Sequence, residues 1–356
     1  MQGHRNEGEA AAIRHEDNFV ALRMFAAILV IFGHAYGLTL STAPGFLGNG
    51  VHTVALKIFF VISGFLITES WLRDRSLSRY FSKRLLRIIP GLAVLVTLTA
   101  FLVGPLVTSL DFTQYFSSHS VYQYFSNIAL FPRYNLPGLF ENNPYPVAVN
   151  GSLWTLPVEF FMYIMVPFIF FRGPSKYIVL IVLFISFILS LYFMRGEAPL
   201  MVFYGTNVVN ALELAPYFLA GAAFKVYVDR NFFNLQVAFS LIIIAPLICQ
   251  GRVSGEILLL LVLPYTVLAF GFCPNPVFSK LGRFGDISYG VYLYAFLIQQ
   301  IFCNYFDLAH RPNTNFILTL LVVLPVAWVS WHYVESPALK LKPGRARVKA
   351  TVLREA

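Results

Sequence analysis

Residues 18–36 read NFVALRMFAAILVIFGHAY. A helix needs roughly 20 predominantly apolar residues to cross the hydrocarbon of a bilayer, and this stretch supplies them. Its ionisable exceptions are Arg23 near the start and His34 near the end. Such side chains are costly inside a membrane helix, so each is a functional candidate. Eleven steps of roughly 100° bring His34 within about 20° of the helix face of Arg23. A rise of about 1.5 Å per residue puts the two roughly 16 Å apart along one stripe. A cation at the membrane edge with an imidazole further in suits the passage of a long molecule with an anionic head. A snorkelling arginine and a packed histidine satisfy the same spacing.

The remainder of the chain has the same character. Of 356 residues, 58% are hydrophobic and only 12% are charged, where a soluble domain carries about 25% charged residues. The mean hydropathy is +0.68. These values describe an integral membrane protein whose partners include the lipid bilayer. The net charge of +9 would suggest nucleic acid in a soluble protein. Here the basic residues fall between apolar stretches, so membrane orientation explains them and no nucleic-acid partner is expected.

About ten spans have sufficient apolar length: 19–40, 51–70, 88–108, 151–171, 177–194, 203–224, 235–250, 256–272, 286–306 and 315–334. The expected fold class is all-α, a polytopic bundle of transmembrane helices. With the N-terminus inside, Lys57, Arg133, Arg195, Arg252 and Arg311 fall on the outer side, and the other 21 of the 26 Lys and Arg residues fall inside. That bias places both termini in the cytoplasm and residues 109–149 outside. The expected organisation is an N-terminal cytoplasmic tail over 1–17, a membrane domain over 18–341 and a basic cytoplasmic tail over 342–356. Nothing in the pattern specifies an oligomeric state.

Chemistry-bearing residues are few. His34 is the histidine that lies well inside a span, and an imidazole serves as a general base near neutral pH. The seven histidines and three cysteines show no HxxxH or CxxC pairing, so no metal is expected. Glu159, in NGSLWTLPVEFFMYIMVPF, lies a few residues into the fourth span from its outer side. A carboxylate there needs a partner, and the depth expected for His34 is compatible. It could equally face a water-filled vestibule or a neighbouring helix. Arg84 and Arg87, three residues apart in YFSKRLLRIIPG, share a helix face at the inner edge of the third span. Guanidinium forks suit phosphate, and basic flanks also anchor inner helix ends. Ser63-Gly64 in FFVISGFLIT permits close approach by a neighbouring helix or a ligand. Glu69, Glu213 and Asp286 lie near span ends, where they reach water or a basic neighbour.

LRMFAAILVIFGH, FFVISGFLIT, RLLRIIP and NGSLWTLPVEF, followed by GDISYGVYLYAF and YVESPALKL, occur in an order that resembles the acyltransferase family 3 membrane proteins. The resemblance runs from about residue 18 to 341. It implies a membrane-bound O-acyltransferase, a multi-pass protein of the bacterial inner membrane. Such an enzyme moves an acyl group, often acetyl, from cytoplasmic acyl-CoA to a hydroxyl of an extracytoplasmic polysaccharide, oligosaccharide or glycolipid. Carried over by motif, His34 and Glu159 would be the catalytic pair, and Arg23, Arg84 and Arg87 would line the entrance of the acyl-CoA donor. Ser63 and Trp154 would shape the passage and the substrate site. Two positions depart from the pattern. Lys57 stands where many members have a small or acidic residue, and Ala295 where many have histidine. The rival expectation is a transporter or flippase of an anionic lipid-linked sugar, with the same charges lining a pathway.

Overall fold

The structure, a computed structural model, describes residues 18–146, 148–174, 176–195, 201–273, 278 and 280–343. The tail over 1–17 and all but the first two residues of the tail over 342–356 lie outside the described residues. The chain forms an all-α bundle of a multi-pass membrane protein, and each apolar stretch read from the sequence is a helix. The ten are α1 Phe19–Leu38, α2 Val51–Arg73, α3 Leu77–Leu98, α4 Thr155–Ile169, α5 Lys176–Arg195, α6 Val208–Tyr227, α7 Leu235–Ile248, α8 Arg252–Phe272, α9 Ser288–Tyr305 and α10 Pro312–Ser330.

Among the described residues, seven helices are long and apolar enough to cross a membrane: α1 to α5, α8 and α10 with their continuations. The other three differ for physical reasons. Helix α7 has only 14 residues. Helices α6 and α9 carry interior polar side chains such as Glu213, Gln299 and Gln300. Most of α9 is buried, so its polar groups meet other parts of the protein. Gln299 donates to the Ile31 carbonyl at 2.9 Å. Gln300 donates to the carbonyls of Tyr145 and Ala148 at 2.8 and 2.7 Å.

Helices α2 and α6 make the closest approach. A methyl at Gly64 would lie 1.9 Å from the Phe218 carbonyl oxygen, and one at Gly221 would lie 2.2 Å from that of Val61. The glycine of the Ser63-Gly64 pair is therefore a helix-packing residue, which leaves Ser63 to face elsewhere. Helix α1 packs on α2 and α9, α9 on α10, and α5 on α6.

Two wide π-turns interrupt the helices, at Thr99–Val103 after α3 and at Trp331–Glu335 after α10. Each ends two residues before a proline, Pro105 and Pro337. Proline lacks an N–H and crowds the carbonyl four residues back, and a widened turn relieves that clash. The second π-turn carries Glu335 into the bundle, where it is buried.

The connection over 109–149, which the sequence pattern left without a fold, contains short helices at Phe112–Ser117 and His119–Gln123 and a 3₁₀ turn at Tyr124–Ala129. Asn143 ties its later part to α9 by donating to the backbone and side-chain oxygens of Gln300 at 2.9 and 2.8 Å. A two-residue hairpin, Gly45–Phe46 with Asn49–Gly50, precedes α2. Its central residues Leu47 and Gly48 have φ of 49° and 75°, the left-handed pair that a tight hairpin of this type demands.

Candidate functional site

A cavity of about 380 Å³ runs into the bundle between α1, α2, α3, α4 and α9. Arg23, Arg87, Asp286, Trp331 and Lys342 line its more exposed end, the mouth, with Ser63, Glu159 and Tyr163 beside them, and Leu56, Thr155 and Tyr292 line its buried inner end. The mouth lies where α1 and α9 begin and where α10 and its continuation end.

The charges at the mouth form a chain. Asp286 accepts from Arg23 at 3.0 Å and from Arg87 at 2.8 Å, and Arg87 stands 4.0 Å from Glu335. Ser288 donates to Asp286, and Ser330 donates to Glu335 at 3.0 Å. Two guanidinium groups, from helices distant in sequence, thus converge on one carboxylate. The Glu335 oxygen nearest Arg87 is buried without a hydrogen bond. Arg87 also lies over the rings of Tyr289 and Trp331, at 5.6 and 5.7 Å.

Arg84, three residues earlier, does not share this position. It is 8% exposed, lies 4.8 Å over the Tyr80 ring and is absent from the cavity wall. A spacing of three residues leaves about 60° between side chains around the helix. Here that difference separates a cavity cation from a packed one. Tyr80 in turn donates to the Tyr163 carbonyl at 2.9 Å, tying α3 to α4.

Glu159 accepts from Ser63 at 3.1 Å and from Tyr163. The expected pairing with His34 is not formed. His34 lies beside His52, with ring centroids 5.9 Å apart. Along α2, His52 and Ser63 are eleven residues apart, about 16 Å of helix. Glu159 therefore sits near the level of Arg23, not of His34. The start of α4 explains the difference. The 3₁₀ turn Gly151–Trp154 that leads into it already has Ser152 and Leu153 buried, so Glu159 lies further into the bundle than a count from the preceding connection indicates. Trp154, half-buried in that turn, packs against the core rather than lining the cavity.

His34 also contacts Phe296, at 5.3 Å between ring centroids. Phe296 is one turn beyond the cavity-lining Tyr292 on α9, and His52 one turn beyond Leu56 on α2, which is about 6 Å in each case. The arginine-to-histidine stripe of α1 thus starts at the mouth, and His34 stands one turn past the inner end.

A second polar cluster lies apart from the cavity. Lys57 is completely buried and donates to Asn49 at 2.8 Å and to both oxygens of Glu256 at 2.8 Å. Tyr217 and Asn49 donate to the same carboxylate at 2.7 and 3.0 Å. Glu213, expected to reach water or a basic neighbour, lies 3.7 Å from Lys57. Sequence reasoning missed Glu256, Glu335 and the placement of His52, because each takes its meaning from a partner far away in the chain.

The acyltransferase domain family matches residues 17–332. An O-acetyl transferase of Shigella phage Sf6 is 30% identical over 90% of this chain and 96% of its own length. Nodulation protein 10 of Rhizobium leguminosarum bv. viciae is 26% identical, over 92% of this chain and 94% of its own. The peptidoglycan O-acetyltransferase OatA of Listeria monocytogenes is 24% identical over 90% of this chain but 55% of its own length. No solved structure matches.

Proposed function

The chain belongs to the acyltransferase 3 family, and on that premise we propose that it transfers an acyl group, acetyl in the first instance, from cytoplasmic acyl-CoA to a hydroxyl of an extracytoplasmic glycan. It sits in the bacterial inner membrane as a bundle of ten spans, with both termini cytoplasmic and the connection over 109–149 outside. The observation that carries this reading is the shape of the cavity. It opens beside Arg23 and Arg87 and ends one helical turn from His34.

Phosphates of the donor displace Asp286 from the two guanidinium groups, whose fork geometry suits them. The arm of the donor extends along α1 past Ser63 and Glu159. Arg84 supports the wall from behind by packing over Tyr80, whose hydroxyl ties α3 to α4. The thioester then meets His34. The acceptor oxygen attacks the thioester carbonyl carbon, a C–O bond forms and the C–S bond breaks. His34 takes the hydroxyl proton and returns it to the departing sulfur, so no proton is left over. Glu159 fixes Ser63 and Tyr163 beside the arm, and Trp154 holds the turn that shapes the acceptor side.

Acyl transfer by purified protein in detergent tests this. Release of CoA and appearance of acyl ester on deacylated envelope glycan, both abolished in His34→Ala, is the expected result. A transporter would show neither without sealed vesicles. Undiminished transfer by His34→Ala would overturn the reading.

A further inference from the structure

We propose that His52 is the acceptor-side imidazole of the reaction centre, holding the acceptor hydroxyl against His34. The inference rests on the reading of His34 as the base. His52 belongs to the first turn of α2, on the outer side, just after the Gly45–Gly50 hairpin. It lies eighteen residues from His34 in sequence, yet the two ring centroids are 5.9 Å apart, with the planes tilted by 37°.

Two further observations make this more than proximity. The first is a cradle. A methyl at Gly33 would fall 2.7 Å from the His52 Cβ and 2.9 Å from its Nδ1, and one at Gly50 would fall 2.9 Å from its Cε1. Glycines in both places leave the space that the His52 ring fills, and the one at 33 directly precedes His34. The second is an unmet demand for hydrogen bonds. The Nδ1 atoms of His34 and His52 are both buried, and neither has a partner. Buried polar groups without partners are uncommon and costly, so two on neighbouring rings mark a place where a polar ligand completes the set. A hydroxyl oxygen fits that role, because it donates to one imidazole and accepts from the other. The cavity delivers the donor from the opposite side and ends one turn short, with Phe296 against His34. The side of His34 facing His52 is thus left for the acceptor, in reach of the outer connection through Tyr145, whose ring is 6.4 Å from Phe296.

The step requires no reagent beyond the two substrates. His52 donates to the acceptor oxygen and directs its proton toward His34, while bond making and breaking proceed as above. Because a misplacement near 1 Å costs about 100-fold, loss of this contact should act on the acceptor term.

The test uses the full-length protein in detergent, acetyl-CoA as donor and alkali-deacylated envelope glycan of a deletion strain as acceptor. His52→Leu, which fills the cradle without a nitrogen, should lower kcat/KM for the glycan by about 100-fold while acetyl-CoA binds within twofold of the parent. His52→Asn, which keeps a polar nitrogen near the Nδ1 position, should recover at least about tenfold of that loss. Gly33→Ala, which pushes a methyl into the ring, should reproduce the His52→Leu defect. Parental kcat/KM in His52→Leu, with His34→Ala inactive, would overturn this inference and leave the proposed function standing. Equal losses in the Leu and Asn variants, accompanied by weaker acetyl-CoA binding, would show a packing role and overturn it too. Full activity in His34→Ala would instead remove the premise.

Discussion

Replacing Lys57 by methionine isolates the buried cluster on α2. Lys57 is 0% exposed and Glu256 is 1% exposed, and the charges meet at 2.8 Å. At an effective dielectric near 20, that separation corresponds to a gross attraction of about 6 kcal/mol, most of it offset by the cost of taking both groups out of water. The net value of the pair is therefore small, but deleting one member exposes the uncompensated cost of the other, about 3–5 kcal/mol. In Lys57→Met the Glu256 carboxylate retains the donors Tyr217 and Asn49, so the loss should fall near the lower limit, about 3 kcal/mol. In the double variant Lys57→Met, Glu256→Gln no charge is stranded, and stability should return to within about 1 kcal/mol of the parent. Reversible unfolding in mixed micelles, titrated with SDS and followed by tryptophan fluorescence, gives the four corners of the cycle. If Lys57→Met unfolds at the parental SDS fraction, or if the double variant is less stable than both single ones, the account of a coupled buried pair is wrong.

Four further outcomes are expected. Arg87→Gln should weaken acetyl-CoA binding by tenfold or more, and Arg84→Gln should weaken it less while lowering stability, because only Arg87 reaches the cavity; calorimetric titration distinguishes the two, and equal binding losses would refute the distinction. Gly64→Val should destabilise by about 3 kcal/mol through overpacking against the Phe218 carbonyl, measured as a lower thermal midpoint. One alanine inserted between Ala27 and Ile28 rotates Arg23 by roughly 100° from His34 and should nearly abolish acyl transfer, whereas one inserted between Pro44 and Gly45 should be tolerated, with folded yield measured beside activity. Outside the membrane, Arg79 donates two hydrogen bonds to Asp74 and holds its carboxyl well below the usual carboxylate range. A carboxyl lowered in the folded state stabilises above its unfolded pKa, so the difference in thermal midpoint between the parent and Asp74→Asn should stay constant from about pH 8 to pH 5 and shrink below about pH 4.

The sequence by itself determined the helices. Apolar runs of fixed length are local, and each of the ten became a helix because no other conformation satisfies backbone polar groups in lipid unless a barrel closes. Helical phase is also local, so the common face of Arg23 and His34 was legible, as was the candidacy of Ser63 and Arg87 from their residue types. Tertiary structure alone decided which charges meet. Asp286 finds Arg87 across 199 positions, and Lys57 finds Glu256 across the same span. The depth of Glu159 depended on a buried 3₁₀ turn before α4, which no apolar count reveals, and the π-turn before Pro337 alone brought Glu335 inward. His52 looked like a span-end residue until glycines on two elements made room for it beside His34. Periodicity and length are properties of one helix, whereas depth and partnership are set by how separate helices slide and rotate against each other. The contacts that fix that arrangement are backbone approaches and buried hydrogen bonds between positions far apart in the chain.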